Sequence, residues 1–238
     1  MWSRKDSAGK MKKLICFPFA GGGASVFHDW KSKLNVDEVI PIVLPGRENK
    51  ITEEVLTSID DITEYVYSSI KGSIHKDDIL ILFGHCFGGL VAFEFAKLIE
   101  QEFSVKKLII SSSFAPSYIK KASFSSMNDF ELISFLEENT GIHSEAFEYE
   151  ELRDLMMPPI RADLVAWESY LENKKTIDVP ILAIHAIDDN YVKKSDVKLW
   201  KKHTKAEFSY KEFNGKHMYI VEATQELFDE ICKISMEN

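Results

Sequence analysis

Ile79-Leu80-Ile81-Leu82-Phe83-Gly84-His85-Cys86-Phe87-Gly88-Gly89-Leu90-Val91-Ala92-Phe93 is the stretch on which the fold turns. An apolar run of strand length, Ile79 to Phe83, leads in, and a helix-like run, Leu90 to Ile99, leads out. Between them Cys86 has a glycine two residues to either side. A turn this tight would drive a side chain at 84 or 88 into neighbouring backbone, so both positions need glycine. The thiol is thereby raised at the start of a helix, where backbone N–H groups stabilise an anion. The plainer alternative is a buried cysteine that happens to lie between glycines. The rest of the chain decides between the two.

Outward from this stretch, strands alternate with helices. Lys13 to Phe17 reads as a buried strand, followed by the glycine-rich loop Pro18 to Ser25. Phe27 to Leu34 reads as a short helix. Glu38 to Leu44 reads as a second strand, at an edge because of Pro41. Ile59, Ile62, Val66 and Ile70 recur at spacings of three and four, which predicts an amphipathic helix over Ser58 to Ile70. Lys107 to Ser111 is a further strand. From Phe124 to Leu171 no strand pattern appears; the spacing predicts helices over Met127 to Glu138, Glu150 to Met157 and Pro159 to Tyr170, the first with a capping-box-like start before Asp129. Strands resume at Val179 to His185 and Glu207 to Phe213, with helices at Ser195 to His203 and Thr224 to Ser235. The pattern predicts a single α/β domain over 1–238: a mostly parallel sheet, helices on both faces, and a helical lid inserted at about 120–175. A strand–turn–helix raising a nucleophile in such a sheet is the nucleophile elbow of the α/β-hydrolase fold, with cysteine where serine usually stands.

Bulk properties narrow the class. The chain has 238 residues, 45% of them hydrophobic and 28% charged, as in a soluble globular domain. A net charge of −9 argues against nucleic acid and anionic membranes as partners. Cys16, Cys86 and Cys232 are too few and too scattered for a disulfide framework or a metal site. Lys10 to Lys13 followed by Leu14 to Phe17 mimics a signal peptide, but the apolar run meets Pro18 at once. No run approaches the ~20 apolar residues of a membrane span. A cytoplasmic monomer without cofactor or metal is expected.

A cysteine nucleophile needs a base, an orienting acid and an oxyanion hole. In this architecture they follow the order nucleophile, acid, base. His217 lies on a loop between the last strand and the last helix, where the base belongs; His85 beside the nucleophile is read as structural. The acid should follow the strand ending at His185, and both Asp188 and Asp189 qualify by location. The oxyanion hole should combine the N–H of Phe87 with one from Phe19, Ala20 or Gly21. Gly21-Gly22-Gly23 lacks the spacing and the Lys-Ser/Thr of a phosphate loop.

These residues carry a resemblance. From Leu14 to the C-terminal helix, the chain resembles the type II (external, editing) thioesterases of nonribosomal peptide and polyketide synthases. The family's Phe-Pro-x-Ala-Gly-Gly is here Phe17-Pro18-Phe19-Ala20-Gly21-Gly22, and its Pro-Gly-Arg is Pro45-Gly46-Arg47. Its Phe-Gly-His-Ser-x-Gly-Gly is Phe83-Gly84-His85-Cys86-Phe87-Gly88-Gly89, and its Pro-x-x-Arg-Ala-Asp is Pro158-Pro159-Ile160-Arg161-Ala162-Asp163. Its Gly-x-x-Asp-x-x-Val is Ala186 to Val192, which selects Asp189, and its Gly-x-His-Phe is Gly215-Lys216-His217-Met218. The resemblance implies a Cys86–His217–Asp189 triad and Ala20 and Phe87 as backbone oxyanion donors. It also implies an acyl or aminoacyl substrate on the phosphopantetheine arm of an acyl or peptidyl carrier protein, which is the expected partner.

The chain departs from the family at the nucleophile, Cys86 for serine. Attack by cysteine on a thioester gives a second thioester of nearly equal free energy, which can pass to another thiol or amine if water is kept out. An acyltransferase shuttling groups between carriers is therefore the first rival to a hydrolase, and a catalytically silent binding module the second. Phe124, Met127, Phe130, Phe135, Met156, Met157, Trp167 and Tyr170 would line an acyl channel or simply form a helical core. Lys120, Lys121, Arg47 and Lys50 would meet an acidic carrier or lie as solvated surface.

Overall fold

A computed structural model describes residues 10–118, 124–142, 145–222 and 224–237. Six strands form one sheet: β1 Lys12–Phe17, β2 Glu38–Pro41, β3 Ile79–His85, β4 Ser104–Ser111, β5 Ile181–Ala186 and β6 Phe208–Phe213. Their order is β2-β1-β3-β4-β5-β6 and every pairing is parallel. The helices are α1 Trp30–Lys33, α2 Ile59–Ile70, α3 Phe87–Ile99, α4 Asp129–Thr140, α5 Glu150–Ser169, α6 Lys194–Val197, α7 Tyr219–Glu222 and α8 Gln225–Met236.

The strand alternation divides the core in two. Ile15, Phe17, Leu80, Leu82, Leu108, Ile110, Ile181 and Ala183 face one side, where α2 and α3 pack. Leu14, Cys16, Ile81, Phe83, Ile109, Leu182 and Ile184 face the other, against Trp30 of α1 and Leu227, Phe228, Ile231 and Ile234 of α8. Central strands are therefore apolar on both faces, as in a parallel sheet covered by helices. On α2 the buried residues Ile59, Ile62, Val66 and Ile70 make the predicted stripe. Each contributes roughly 1.5–3 kcal/mol by burial. Ser58 caps the helix by accepting from the Asp61 N–H at 3.1 Å.

Between β4 and β5 lie α4 and α5, which enclose a third cluster of Phe124, Leu132, Ile133, Leu136, Phe147, Met157, Ile160 and Leu164. Asn128 and Glu131 form a full capping box at the start of α4. The expected break in the next helix does not occur: α5 runs unbroken through Pro158 and Pro159. Proline leaves the carbonyls four residues earlier without N–H partners. These belong to Asp154 and Leu155, which are exposed, so water can hydrate them.

Three other elements are shorter than the apolar pattern predicts. Phe27 to Leu34 splits into a 3-10 turn, Ala24–Phe27, and the single turn α1. Ser195 to His203 divides into α6 and the 3-10 stretch Lys198–His203. The second strand stops at Pro41, although the Ile42 N–H still donates to the Cys16 carbonyl at 2.8 Å.

Candidate active site

Cys86 stands at the junction of β3 and α3 with φ 54° and ψ −119°, a conformation that side chains seldom adopt. Close packing around the turn fixes it there. A β-carbon on Gly84 would stand 2.2 Å from the Gly88 carbonyl oxygen, and one on Gly88 would stand 2.2 Å from that of Phe17. The Cys86 N–H donates to the Ser111 carbonyl at 2.9 Å, and its own carbonyl accepts from Gly89 at 3.0 Å. The thiol is left partly exposed at the N-terminal end of α3.

His217 sits on the loop before α7 and is 1% exposed. Its Nδ1 lies 2.8 Å from Oδ2 of Asp189, which follows β5 and is also buried. A carboxylate only accepts, so this nitrogen carries the hydrogen. Oδ1 of Asp189 accepts from the N–H groups of Tyr191 and Val192, each at 2.9 Å. Burial pushes the Asp189 carboxyl up, but His217 and the Val192 N–H outweigh it and hold the carboxyl below the usual range. Asp188 is exposed, and the structure brings only its neighbour to the histidine.

The other ring nitrogen of His217, Nε2, is turned towards Cys86. Burial disfavours its charged form, yet the adjacent negative charge of Cys86, followed by the hydrogen bond to Asp189, raises its pKa to about 10. Cys86, His217, Ala20 and Phe87 border one cavity. It holds about 570 Å3, counting its open mouth, and is walled by Phe114, Phe135, Leu136, Leu164, Trp167 and Tyr191. Phe135 and Leu136 of this apolar wall come from α4, and Leu164 and Trp167 from α5.

Among the surroundings, Arg47 and Lys50 differ from the sequence expectations. His85 packs its ring against that of His217, centroids 5.4 Å apart. Its Nδ1 reaches Ser111 Oγ at 2.9 Å, and Ser111 Oγ reaches the Tyr219 hydroxyl at 2.6 Å. Burial keeps it neutral by pushing its pKa well down. Arg47 is no surface cation: it is 6% exposed and makes a bidentate pair with Asp163 at 2.7 and 2.9 Å. Lys50 donates to the Val43 carbonyl and lies over the Tyr65 ring. Lys120 and Lys121 lie outside the described residues.

Of the aromatic and methionine set, Phe135 and Trp167 reach the cavity, whereas Phe124 and Met157 fill the core of the insertion. Phe130 is 68% exposed, and Tyr170 donates to Glu94. Tyr191 escaped the sequence reading: its ring meets that of His217 edge-on at 5.4 Å. Its position inside the Asp189 motif was the available signal. Among the described residues, no group of His, Cys, Asp and Glu is arranged to hold a metal, and no helix is long and apolar enough to cross a membrane.

A parallel sheet with a strained cysteine between strand and helix, and an Asp–His pair on the loops after β5 and β6, is the architecture of an α/β hydrolase. Residues 12–235 match the family model described as "Thioesterase domain". The chain is 33% identical over 233 residues to the gramicidin S biosynthesis protein GrsT of Aneurinibacillus migulanus, covering 96% of this chain and 90% of that one. Among solved structures it is similar to RedJ, the thioesterase of the prodiginine pathway in Streptomyces coelicolor, with TM-score 0.85, 26% identity and coverage of 96% and 87%. It is also similar to BorB, the type II thioesterase of the borrelidin cluster, with TM-score 0.84, 28% identity and coverage of 97% and 95%. The chain belongs to the thioesterase domain family and is a thioester hydrolase of the α/β-hydrolase superfamily.

Proposed function

We propose that this chain is a type II thioesterase that removes acyl or aminoacyl groups from the phosphopantetheine arm of carrier proteins in a nonribosomal peptide or polyketide pathway. Cys86 is the nucleophile, His217 the acid and base, and Asp189 the orienting acid. The observation that carries the reading is His217 itself, bonded to Asp189 on one side and bordering the same apolar cavity as Cys86 on the other. The likeness to GrsT, RedJ and BorB supports the pathway class.

The steps follow from these positions. The Cys86 thiolate attacks the thioester carbonyl, and the oxyanion that forms is met by the N–H groups of Phe87 and Ala20. The carbon–sulfur bond to pantetheine breaks as His217 gives its proton to the departing sulfur. An acyl-Cys86 thioester remains. Water then attacks that carbonyl while Nε2 of His217 takes its proton, and Cys86 leaves as thiolate with the acid as product. No cofactor enters any step. A chain with three free, scattered cysteines suits the reducing cytoplasm.

A second reading rests on the residue at 86. A thioester intermediate in an apolar cavity can pass its acyl group to a second carrier thiol at little free-energy cost. Incubation with one loaded and one unloaded carrier separates the two. Hydrolysis predicts acyl loss from the first carrier and no gain on the second; transfer predicts an equal gain. If the loaded carrier keeps its acyl group in both arms, both readings fail.

A further inference from the structure

Two sequence motifs have no part in the chemistry above, Pro45-Gly46-Arg47 and Pro158 to Asp163. The structure brings their last residues together beneath the oxyanion loop. The Gly22 N–H donates to the Phe19 carbonyl at 2.9 Å, closing a turn over Phe19, Ala20, Gly21 and Gly22. Gly21, third in the turn, has φ +76°, which is the type II form. Ala20, second in the turn, borders the cavity beside Cys86.

Helix α5 holds this turn in two ways. A β-carbon on Gly21 would stand 2.3 Å from Ile160 Cγ1, so Ile160 fills the space that glycine leaves. Three residues along the same face, Oδ2 of Asp163 accepts from the Gly21 N–H at 2.8 Å. The same carboxylate is gripped by both terminal nitrogens of Arg47, and Nη1 of Arg47 also donates to the Gly22 carbonyl at 3.2 Å. Asp163 is wholly buried. A buried ion pair is weak evidence for stability, because desolvation opposes its attraction. The geometry matches a positioning role instead, since both members of the pair bond directly to the backbone of the turn that presents Ala20.

We propose that Asp163, charge-balanced by Arg47, is a positioning residue for the oxyanion hole. It holds the Gly21 N–H so that the turn keeps the Ala20 N–H aimed at the carbonyl bound to Cys86. Docking of α5 and formation of the hole are then one event, since the helix that walls the acyl cavity also sets the turn. This inference rests on the thioesterase reading of the site.

The test uses a carrier-free substrate, a short-chain acyl N-acetylcysteamine thioester, together with alkylation of Cys86 by iodoacetamide. Alkylation needs the nucleophile but forms no oxyanion. Removing Asp163 alone would strand Arg47, so two double variants are compared, Arg47→Met with Asp163→Leu and Arg47→Met with Asp163→Asn. Apolar replacement of a buried pair is commonly tolerated. In the leucine variant kcat is expected to fall about 100-fold, the scale of losing one oxyanion donor, with KM within about threefold. Its alkylation rate should stay within about twofold of wild type. The asparagine variant, whose side-chain oxygen can still accept from Gly21, is expected to recover at least about tenfold of the lost kcat. Equal kcat in the two double variants, or alkylation falling in step with kcat, would overturn the proposal. An inactive wild-type chain would instead count against the thioesterase reading.

Discussion

Asp189 and His217 share one short contact, Oδ2 to Nδ1 at 2.8 Å, while the other carboxylate oxygen is occupied by the Tyr191 and Val192 N–H groups. The carboxylate is thus fixed from behind and cannot rotate away from the imidazole. Asp189→Asn keeps an oxygen for the two N–H groups but turns its NH2 towards His217. Nδ1 must then accept, and the hydrogen moves to Nε2, the wrong tautomer for a base. Turnover is expected to fall by about 10^4-fold with the fold retained. A single-turnover assay beside a thermal melt checks this; activity within tenfold of wild type would remove Asp189 from the orienting role.

His217 should carry its proton through the neutral range, because its pKa stands at about 10. Burial works against the charge, and the negative charge of Cys86 is the largest influence in its favour. In Cys86→Ser the hydroxyl stays neutral, so the His217 midpoint is expected to drop towards the ordinary value of ~6.5. Imidazole nitrogen shifts followed by NMR across pH 5–11 read both cases. A midpoint that the substitution leaves in place would show that Cys86 does not hold the proton there.

The elbow makes a stability prediction. Gly88→Ala would place a methyl group 2.2 Å from the Phe17 carbonyl oxygen, in a turn where both partners are backbone. Nothing flexible is there to move aside, and β1 or α3 must shift. A loss of at least ~3 kcal/mol is expected, in the range of severe overpacking. Denaturant unfolding of the pure variant measures it. Gly72→Ala is the control, since beyond its own chain neighbours no atom lies within 4 Å of the added carbon.

Cysteine at 86 also bears on where the acyl group goes. With a free thiol such as N-acetylcysteamine present, the wild-type chain is expected to form more acyl thioester, relative to free acid, than Cys86→Ser does. The serine variant must leave an oxyester, which is a poorer donor to thiols. Product ratios from a common loaded carrier give the comparison. Equal ratios would mean that residue 86 does not set the partition.

The sheet and the elbow were legible in the sequence because their signals are local. The unbroken apolar runs of β1 and β3, the α2 stripe and the glycines around Cys86 each lie within a few turns of chain. Asp189 was legible only through its motif: Asp188 and Asp189 share one turn, and their difference is the direction of a side chain. Arg47 was misread because its partner Asp163 lies 116 residues away, and no periodicity reports such a pair. The join across Pro158 and Pro159 was missed for another reason. Propensity rules penalise proline inside a helix, whereas here the stranded carbonyls fall at exposed residues and the helix is held by its packed face.

The central claim is that Cys86 receives the acyl group from a carrier protein. Its most direct measure is intact mass of enzyme and carrier together, quenched with acid at intervals after mixing with a loaded carrier. The account predicts that the carrier loses the acyl mass while a fraction of the chain transiently gains it, with the adduct on the peptide containing Cys86. It also predicts that Cys86→Ala shows neither change. Acyl loss at an undiminished rate with Cys86→Ala, or a carrier that keeps its acyl group in the presence of the wild-type chain, would contradict it.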